Sequence, residues 1–421
     1  MFDPHWAIGP FAGTDRSWRR IRLLCAVVGV FLFCGGVGLG QGLGQGLGQG
    51  LGTPLEIGVE DELDVDDGIG DQANAAAGVA PSAQPRVILR GNGVHESAPH
   101  GRGNVYAPCV MRDGATWRLW YGGQGEDGHD RIGLAESEDG VHWSRRGVVL
   151  DDPAANHIND PEVFKVGDRY HMLYTRAAKE IIDEIHWAES EDGVRWEPRG
   201  VALAAGPAGS WDGLSVGRPT VARAADGRYL MWYDGRKDFA AGSPVSGVPL
   251  ADDSHRYVGV AISEDGARWN RFRAEPVFGN DAGGIDVKRV GERYVMLYES
   301  GAGVMHAVSV DGIRWEQRGL CLAKSDGKAD RFGHVTPALW FDPAAGDVGD
   351  GTSGLAGDET SGLAGDGTSG LAGDGTSGQT RSLGKLFFGA AAAASWDNNA
   401  IAWAAVDLKR LVGAVAVEVP R

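Results

Sequence analysis

Cysteine is scarce in this chain. Four cysteines occur in 421 residues, and none forms a CxxC pair or a Cys/His cluster. The spacings that mark zinc sites are therefore absent, and the sequence predicts no metal site. Cys25 and Cys34 lie in an apolar N-terminal stretch. Cys109 and Cys321 fall in distant repeat units, so the sequence does not favour an internal disulfide.

Positive charge is also in the minority. There are 40 lysines and arginines against 57 acidic residues, which gives a net charge of −17. This balance argues against nucleic acid and against an anionic membrane surface as partners. Part of the excess lies in the run EDELDVDD at 60–67, so the repeat region that follows is less acidic than the total.

Long apolar runs are rare, and the one that matters lies near the N-terminus. A basic segment, 1–22, precedes the apolar and glycine residues of 23–40. Three alternatives fit that pattern: a single-pass membrane anchor, a cleaved signal peptide, or an organelle presequence. The first two place the rest of the chain outside the cytoplasm, anchored or secreted. Residues 41–85 are Gly-rich and then Ala/Gly/acidic, which predicts a flexible linker.

What the chain does contain is one phrase repeated four times. The copies begin at Ser137 (SEDGVHW), Ser190 (SEDGVRW), Ser263 (SEDGARW) and Ser309 (SVDGIRW). Each lies between two short apolar runs, and an aromatic-rich hairpin pattern lies upstream. A unit of roughly 40–50 residues with this content is typical of a four-stranded propeller blade.

The repeated turn has its own physical logic. Its aspartate can bond the backbone of its own turn, its glycine supplies positive φ, and its tryptophan can pack on the neighbouring blade. Four equivalent aspartates cannot share one active site, so we predict structural roles for them. They are Asp139, Asp192, Asp265 and Asp311.

A fifth, degenerate unit completes the pattern. Its strands begin near Thr336, Gly384 and Asn399, and no repeat motif follows. A second low-complexity tract (GTSGLAGD) predicts a disordered insert at 343–382 within this unit. Its outer strand could come from RVILRG at Arg86, or from LVGAVAVEV near the C-terminus. The sequence thus predicts an all-β, five-bladed β-propeller with four-stranded antiparallel blades over 86–421.

The region from about Arg86 to Leu408 resembles the five-bladed propeller superfamily of arabinanases, xylosidases, invertases and levansucrases. The resemblance depends on the blade count, the repeated motif and the NDP phrase at Asn159–Pro161. It implies that sugars bind in a funnel at the propeller axis. It also implies that acidic side chains on the innermost strands carry out glycoside cleavage, which needs a proton donor and a second carboxylate.

Aligning the innermost strands on the pattern x-P-x-V identifies the candidate catalytic residues. Asp160 and Glu162 lie two positions apart and share a strand face, and Asp286 occupies the column of Glu162. These three are predicted to share the acid, base and stabilising roles. Ala107 stands where the superfamily's first-blade acid is usual, and Arg218 stands where a later-blade glutamate is expected.

These departures leave two functions open. The first is a glycoside hydrolase-like enzyme that cleaves an oligo- or polysaccharide, and the second is a catalytically silent carbohydrate-binding propeller. No cofactor is expected, although a structural calcium ion is left open. Five further residues near strand ends are predicted to bind substrate, each with a structural role as its simpler alternative. They are Arg218, Asp234, Glu299, His157 and His334.

Overall fold

The computed structural model describes residues 85–91, 104–125, 127–177, 182–243, 247–279, 281–327, 329–342, 383–393 and 399–413. The predicted N-terminal segments 1–22 and 23–40, the linker up to residue 84, and the predicted insert at 343–382 lie outside these ranges. Within them, no helix combines the length and the apolar character needed to cross a membrane.

The described strands form five four-stranded antiparallel blades, confirming the all-β propeller prediction. Blades 1 to 3 are separate sheets, and blades 4 and 5 are joined into one sheet by the pair Ser300↔His334. Blade 1 contains β2 (Asn104–Asp113), β3 (Thr116–Gln124), β4 (Asp130–Ser137) and β5 (Ser144–Leu150). Blade 2 contains β6 (His157–Val166), β7 (Arg169–Ala177), β8 (Asp183–Ser190) and β9 (Glu197–Leu203). Blade 3 contains β10 (Ser215–Arg223), β11 (Tyr229–Arg236), β14 (Tyr257–Ser263) and β15 (Asn270–Arg271).

Blade 4 contains β16 (Asp286–Val290), β17 (Arg293–Ser300), β18 (Gly303–Ser309) and β19 (Glu316–Ala323). Blade 5 contains β20 (His334–Trp340), β21 (Leu383–Ala391), β22 (Asn399–Asp407) and, from the other end of the chain, β1 (Arg86–Arg90). A short parallel pair, β12 (Phe239–Ala240) and β13 (Leu250–Ala251), forms between β11 and β14, in what we call the insert of blade 3.

The ring closes through the N-terminal strand. β1 pairs with β22 from Arg86↔Trp403 to Arg90↔Ala400. The first two residues of the alternative closing segment, Leu411 and Val412, belong to the helix α1 (Leu408–Val412), and its residues from 414 onward lie outside the described ranges. Pairing the two ends of the repeat region in one sheet covers what would otherwise be an exposed strand edge.

The repeated turn has the structural role that its sequence predicts. In the first copy, the Ser137 hydroxyl accepts the Asp139 and Gly140 amides at 3.2 and 2.8 Å. One Asp139 oxygen accepts the Val141 and His142 amides, both at 2.8 Å. Gly140 has φ +68°, which favours glycine. The same bonds recur in the other three copies.

The turns also lock each blade to the one before it. Trp196 meets Trp120 of the preceding blade edge-on, with ring centroids 6.4 Å apart. The Trp120 indole in turn donates to the Gly193 carbonyl of the same turn at 3.0 Å. Equivalent edge-on contacts join the other motif tryptophans to Phe387, Phe164 and Trp232. Blade 5 has no such motif, and α1 replaces it: Arg293 of blade 4 donates to the Val412 carbonyl at 3.3 Å.

Candidate functional site

All five innermost strands bend sharply at one equivalent residue. These residues have φ between 44° and 53°, and they are Ala107, Asp160, Arg218, Gly284 and Thr336. In four blades the strand register shifts at this point, as expected for a β-bulge. The bulges surround a funnel, which is lined in blades 2 to 5 by the bulge residue and the two residues after it, and in blade 1 by Ala107 and Pro108.

Asp160 is the carboxylate in this funnel that is free to act. It is 8% exposed, and its Oδ2 atom is buried without a hydrogen-bond partner. Burial raises the pKa of Asp160 to about 7, against the opposing effects of the Arg218 charge and a hydrogen bond from Thr175. Asp160 therefore exchanges a proton near neutral pH.

Glu162 and Asp286 line the same funnel, but both carboxylates are paired with Lys288. Lys288 Nζ lies 2.8 Å from Asp286 and 3.4 Å from Glu162. Burial raises the pKa of Glu162. Burial lowers the pKa of Lys288, but the charges of Asp286 and Glu162 outweigh this effect and raise it overall. Lys288 thus offsets one of the two negative charges that this triad carries when both carboxyl groups are ionised.

The same two carboxylates also join neighbouring blades. Two residues after each bulge, a side chain accepts a backbone amide of the next blade. The pairs are Cys109 with Val163 (3.2 Å), Glu162 with Val221 (2.9 Å), Thr220 with Val287 (3.1 Å) and Asp286 with Leu339 (2.7 Å). At the fifth equivalent position, the methyl side chain of Ala338 cannot accept a hydrogen bond. We call these four contacts the throat ring.

Asp234 and Glu299 lie behind the funnel wall and act in a second ring. Asp234 accepts the amide of Gly284, and Glu299 accepts that of Thr336, both at 3.1 Å. Each also binds an arginine: Asp234 lies 3.1 Å from Arg218, and Glu299 lies 2.6 Å from Arg256. Both carboxylates are at most 3% exposed, so they are interblade contacts rather than strand-end turn residues.

Blade 3 contributes three buried arginines to this side of the funnel. Arg218 and Arg256 are paired with carboxylates. Arg236 is 8% exposed, lies over the Phe239 ring at 4.5 Å, and has no ion pair with any residue that the structure describes. Burial and then the charges of Arg256 and Arg218 lower the pKa of Arg236 to about 10. We call Arg218, Arg236 and Arg256 the arginine wall.

The two predicted histidines lie outside the funnel. His157 Nε2 is 3.0 Å from Asp183, and His334 Nε2 is 3.0 Å from Asp330. Both rings are at most 1% exposed. The funnel therefore brings together Asp160, Glu162, Asp286 and Arg218, but not Asp234, Glu299, His157 or His334.

Sequence reasoning missed several residues around the site. Arg236 and Arg256 flank the blade 3 insert, and Asp130 begins the third strand of blade 1. Aligning third-strand starts as well as first strands would have placed Asp130 beside its counterpart Asp183. Among the described residues, no group of three or more His, Cys, Asp or Glu side chains could hold a metal ion.

Comparison with known proteins finds glycoside hydrolases of similar fold. The model for the "Glycosyl hydrolases family 32 N-terminal domain" matches residues 152–289, which cover blades 2 and 3 and the start of blade 4. A glycoside hydrolase structure superposes with a TM-score of 0.53 at 18% identity, covering 81% of this chain and 96% of that one. A glycosyl hydrolase from Bacteroides ovatus gives 0.50 at 14% identity, covering 80% and 96%.

Two curated relatives extend the comparison. The chain is 32% identical over 137 residues to the uncharacterized protein Rv1502 of Mycobacterium tuberculosis, covering 30% of this chain and 44% of the relative. It is 29% identical over 130 residues to a 1,2-beta-oligomannan phosphorylase of Thermoanaerobacter sp., covering 30% and 41%. The match thus spans less than half the length of either relative. The resemblance to the five-bladed propeller glycoside hydrolases is confirmed as a likeness of fold.

Proposed function

We propose that this protein cleaves glycosidic bonds of an oligo- or polysaccharide, with Asp160 as the proton donor to the leaving sugar oxygen. The observation that carries the proposal is the free, buried Oδ2 of Asp160 at the wall of the funnel. A carboxyl group with a pKa of about 7 is about half protonated at neutral pH, so it can hold a proton and still release it readily.

The second reacting group is harder to supply from the protein. Glycoside hydrolysis ordinarily uses a second carboxylate as nucleophile or as the base for water. Here Glu162 and Asp286 are held by Lys288 and by the throat ring. We therefore assign them a holding role in the proposal, with Asp160 as the single catalytic acid.

The arginine wall favours a second candidate, in which inorganic phosphate attacks the sugar. Arg236 has no carboxylate partner among the described residues, and a phosphate oxygen could replace the missing carboxylate. The phosphate oxygen would bond to the anomeric carbon as the glycosidic C–O bond breaks and Asp160 protonates the leaving oxygen. The printed name of the Thermoanaerobacter relative agrees with such a reaction.

One assay series tests both candidates. Aryl glycosides and oligosaccharides are incubated with the wild type, Asp160→Asn and Asp330→Asn, with and without phosphate. Asp330 is a matched control because it is as buried as Asp160 but lies outside the funnel, against His334. Loss of the proton donor should cost about 10²–10⁴-fold in rate on sugar leaving groups. The loss should be much smaller on dinitrophenyl glycosides, whose leaving group needs no proton.

The outcomes separate the alternatives. Formation of a sugar 1-phosphate only when phosphate is present selects phosphorolysis, and phosphate-independent release selects hydrolysis. Full activity of Asp160→Asn on sugar leaving groups would contradict the assignment. Calorimetric binding of an oligosaccharide without release of product from any substrate would select the catalytically silent carbohydrate-binding propeller.

We further propose that the protein works outside the cytoplasm, anchored by residues 23–40 or secreted after their removal. The support is the basic and then apolar pattern at the N-terminus. Fractionation of cells with an antibody to the propeller tests this placement. Recovery of the uncleaved chain in the cytosol alone would contradict it.

A further inference from the structure

Asp130 is a fully buried carboxyl group that the proposed reaction does not use. It begins β4 at the funnel end of blade 1, is 0% exposed, and neither of its oxygens has a hydrogen-bond partner of normal geometry. Apart from the neighbouring Tyr106 hydroxyl, no described residue offers this carboxyl group a hydrogen bond, and such burial costs free energy that most proteins avoid. Such a group therefore calls for a functional explanation.

The propeller's pseudo-symmetry provides an internal control in Asp183, which begins β8 in blade 2. Asp130 pairs with the last residue of β3, and Asp183 pairs with the last residue of β7. Asp183 is bound by His157 at 3.0 Å. At the position of His157, blade 1 has Asn104, whose Oδ1 accepts the Asn399 amide of blade 5.

The two aspartates consequently differ in proton affinity. Burial acts in the same direction on both, but the bond from His157 lowers the pKa of Asp183 overall. Burial and the Asp160 carboxylate raise the pKa of Asp130 to about 8, although the Tyr106 hydroxyl opposes them. Arg131 lies nearby but is already paired with Asp127 and Asp151, at 2.7 and 3.2 Å.

Tyr106 connects Asp130 to the funnel. Its hydroxyl accepts the Asn159 side-chain amide at 3.1 Å, and Asn159 immediately precedes Asp160. Two glycines lie close to Tyr106: a Cβ on Gly122 would come within 3.3 Å of its ring, and a Cβ on Gly389 within 3.2 Å of its Cβ. Burial raises the pKa of Tyr106, and the negative charges of Asp130 and Asp160 raise it further, which places all three groups in one electrostatic cluster.

We propose that Asp130 is a positioning residue for Asp160, acting through Tyr106 and Asn159, and that the two carboxyl groups titrate as a coupled pair. The inference rests on the proposed function, because it gives Asp130 a role in supporting the proton donor. At neutral pH, Asp130 stays uncharged. It therefore does not repel the negative charge that Asp160 acquires when it gives up its proton. Coupled groups of this kind titrate in two steps that belong to the pair.

The first experiment needs no catalytic activity. Protein labelled with ¹³C at the aspartate carboxyl carbons is titrated by NMR from about pH 5 to about pH 9, a range that spans both raised pKa values. The wild type should show two high-pH carboxyl transitions, and Asp130→Asn and Asp160→Asn should each remove one. In Asp160→Asn the remaining transition should move to lower pH, because the neighbouring negative charge is gone. An Asp130 curve identical in wild type and Asp160→Asn would overturn the coupling.

The second experiment measures the positioning role by kinetics. Asp130→Asn and Tyr106→Phe should each lower kcat about tenfold with KM unchanged, and the double variant should lose no more than either, as expected for one connected unit. Asp183→Asn is the matched control: it should lower the melting temperature by removing the His157 contact, whereas Asp130→Asn should not. Additive losses in the double variant, or a wild-type kcat in both single variants, would overturn the positioning role. If no substrate is cleaved, the NMR titration still decides the coupling.

Discussion

Arg218 Nη1 lies 3.1 Å from Asp234 Oδ1, so the arginine that lines the funnel beside Asp160 is bound to a different carboxylate. Both arginine and aspartate are largely buried, with side chains 14% and 4% exposed. Arg218 still acts on Asp160 through its charge, but burial outweighs it and the Asp160 pKa stays high. Because Arg218 is bound to Asp234, Asp160 is the only carboxylate without an ion pair among the described residues that line the funnel.

Replacing Arg218 should therefore damage stability before it affects chemistry. Arg218→Met leaves Asp234 with the Gly284 amide and, among the described cations, only the more distant Arg256, at 3.9 Å. Removing one partner of a buried pair typically costs about 3–5 kcal/mol. Urea unfolding of Arg218→Met and of the double variant Arg218→Met/Asp234→Asn measures this. The double variant should recover part of the loss, and an equal or larger loss would contradict the pairing.

Lys288 should stabilise the folded protein at the centre of the propeller. Lys288→Met leaves Glu162 and Asp286 facing each other without a compensating charge. We expect a loss of about 3–5 kcal/mol at neutral pH, and a smaller loss near pH 4 where carboxylates take up protons. Arg228→Met is the control, because its pair with Asp226 is exposed and should contribute about 0–1 kcal/mol. Equal stability of Lys288→Met and wild type would show that the Lys288 charge does not stabilise the carboxylates of Glu162 and Asp286.

The repeated turn should tolerate no side chain at its glycine. Gly193 has φ +72°, and a Cβ there would lie 2.8 Å from Arg118 Nη1 and 3.3 Å from the Trp120 ring. Gly193→Ala should cost about 1–2 kcal/mol from backbone strain, with the crowding of Trp120 in addition. Gly301→Ala should be nearly neutral, because nothing lies within 4 Å of its Cβ. Thermal unfolding of both variants checks this, and the idea fails if the two melt alike.

Asp160 should make the protein less stable as pH rises from acid to neutral. Its pKa is about 7 in the folded protein, above its ordinary value of 3.8. The folded state therefore holds a proton that the unfolded state releases, so this contribution to stability is complete below about pH 4 and is lost as pH rises to about 7. Asp160→Asn should remove that part of the decline, as measured by urea unfolding at several pH values. A steeper decline in the variant would contradict the raised pKa.

Much of the fold follows from local pattern. The four motif copies predicted the blades because Ser, Asp and Gly close their turn with bonds inside a few residues, whatever surrounds them. The match between RVILRG and the outer strands also predicted the seam that β1 and β22 form. The Asp160 column was predicted for the same reason, since the x-P-x-V phrase repeats in register with the blades.

The partners of the site residues did not follow from the pattern. Glu162 and Asp286 share a column with Cys109 and Thr220, and alignment alone does not reveal that this column bonds to the next blade. Asp130 and Asp183 occupy equivalent strand starts, and only one of them faces a histidine. Each throat-ring contact joins a side chain to a backbone amide more than fifty residues away in sequence, and local periodicity does not encode such contacts.

The sequence by itself determined the blade repeat and the position of Asp160, because these depend on turn chemistry and on alternation along single strands. It left two candidates for the closing strand, and the structure selected β1. Only the tertiary structure decided which acidic groups are neutralised and which one is left free. Proton affinity depends on burial and on the charges of neighbouring blades, and both are set when the ring closes.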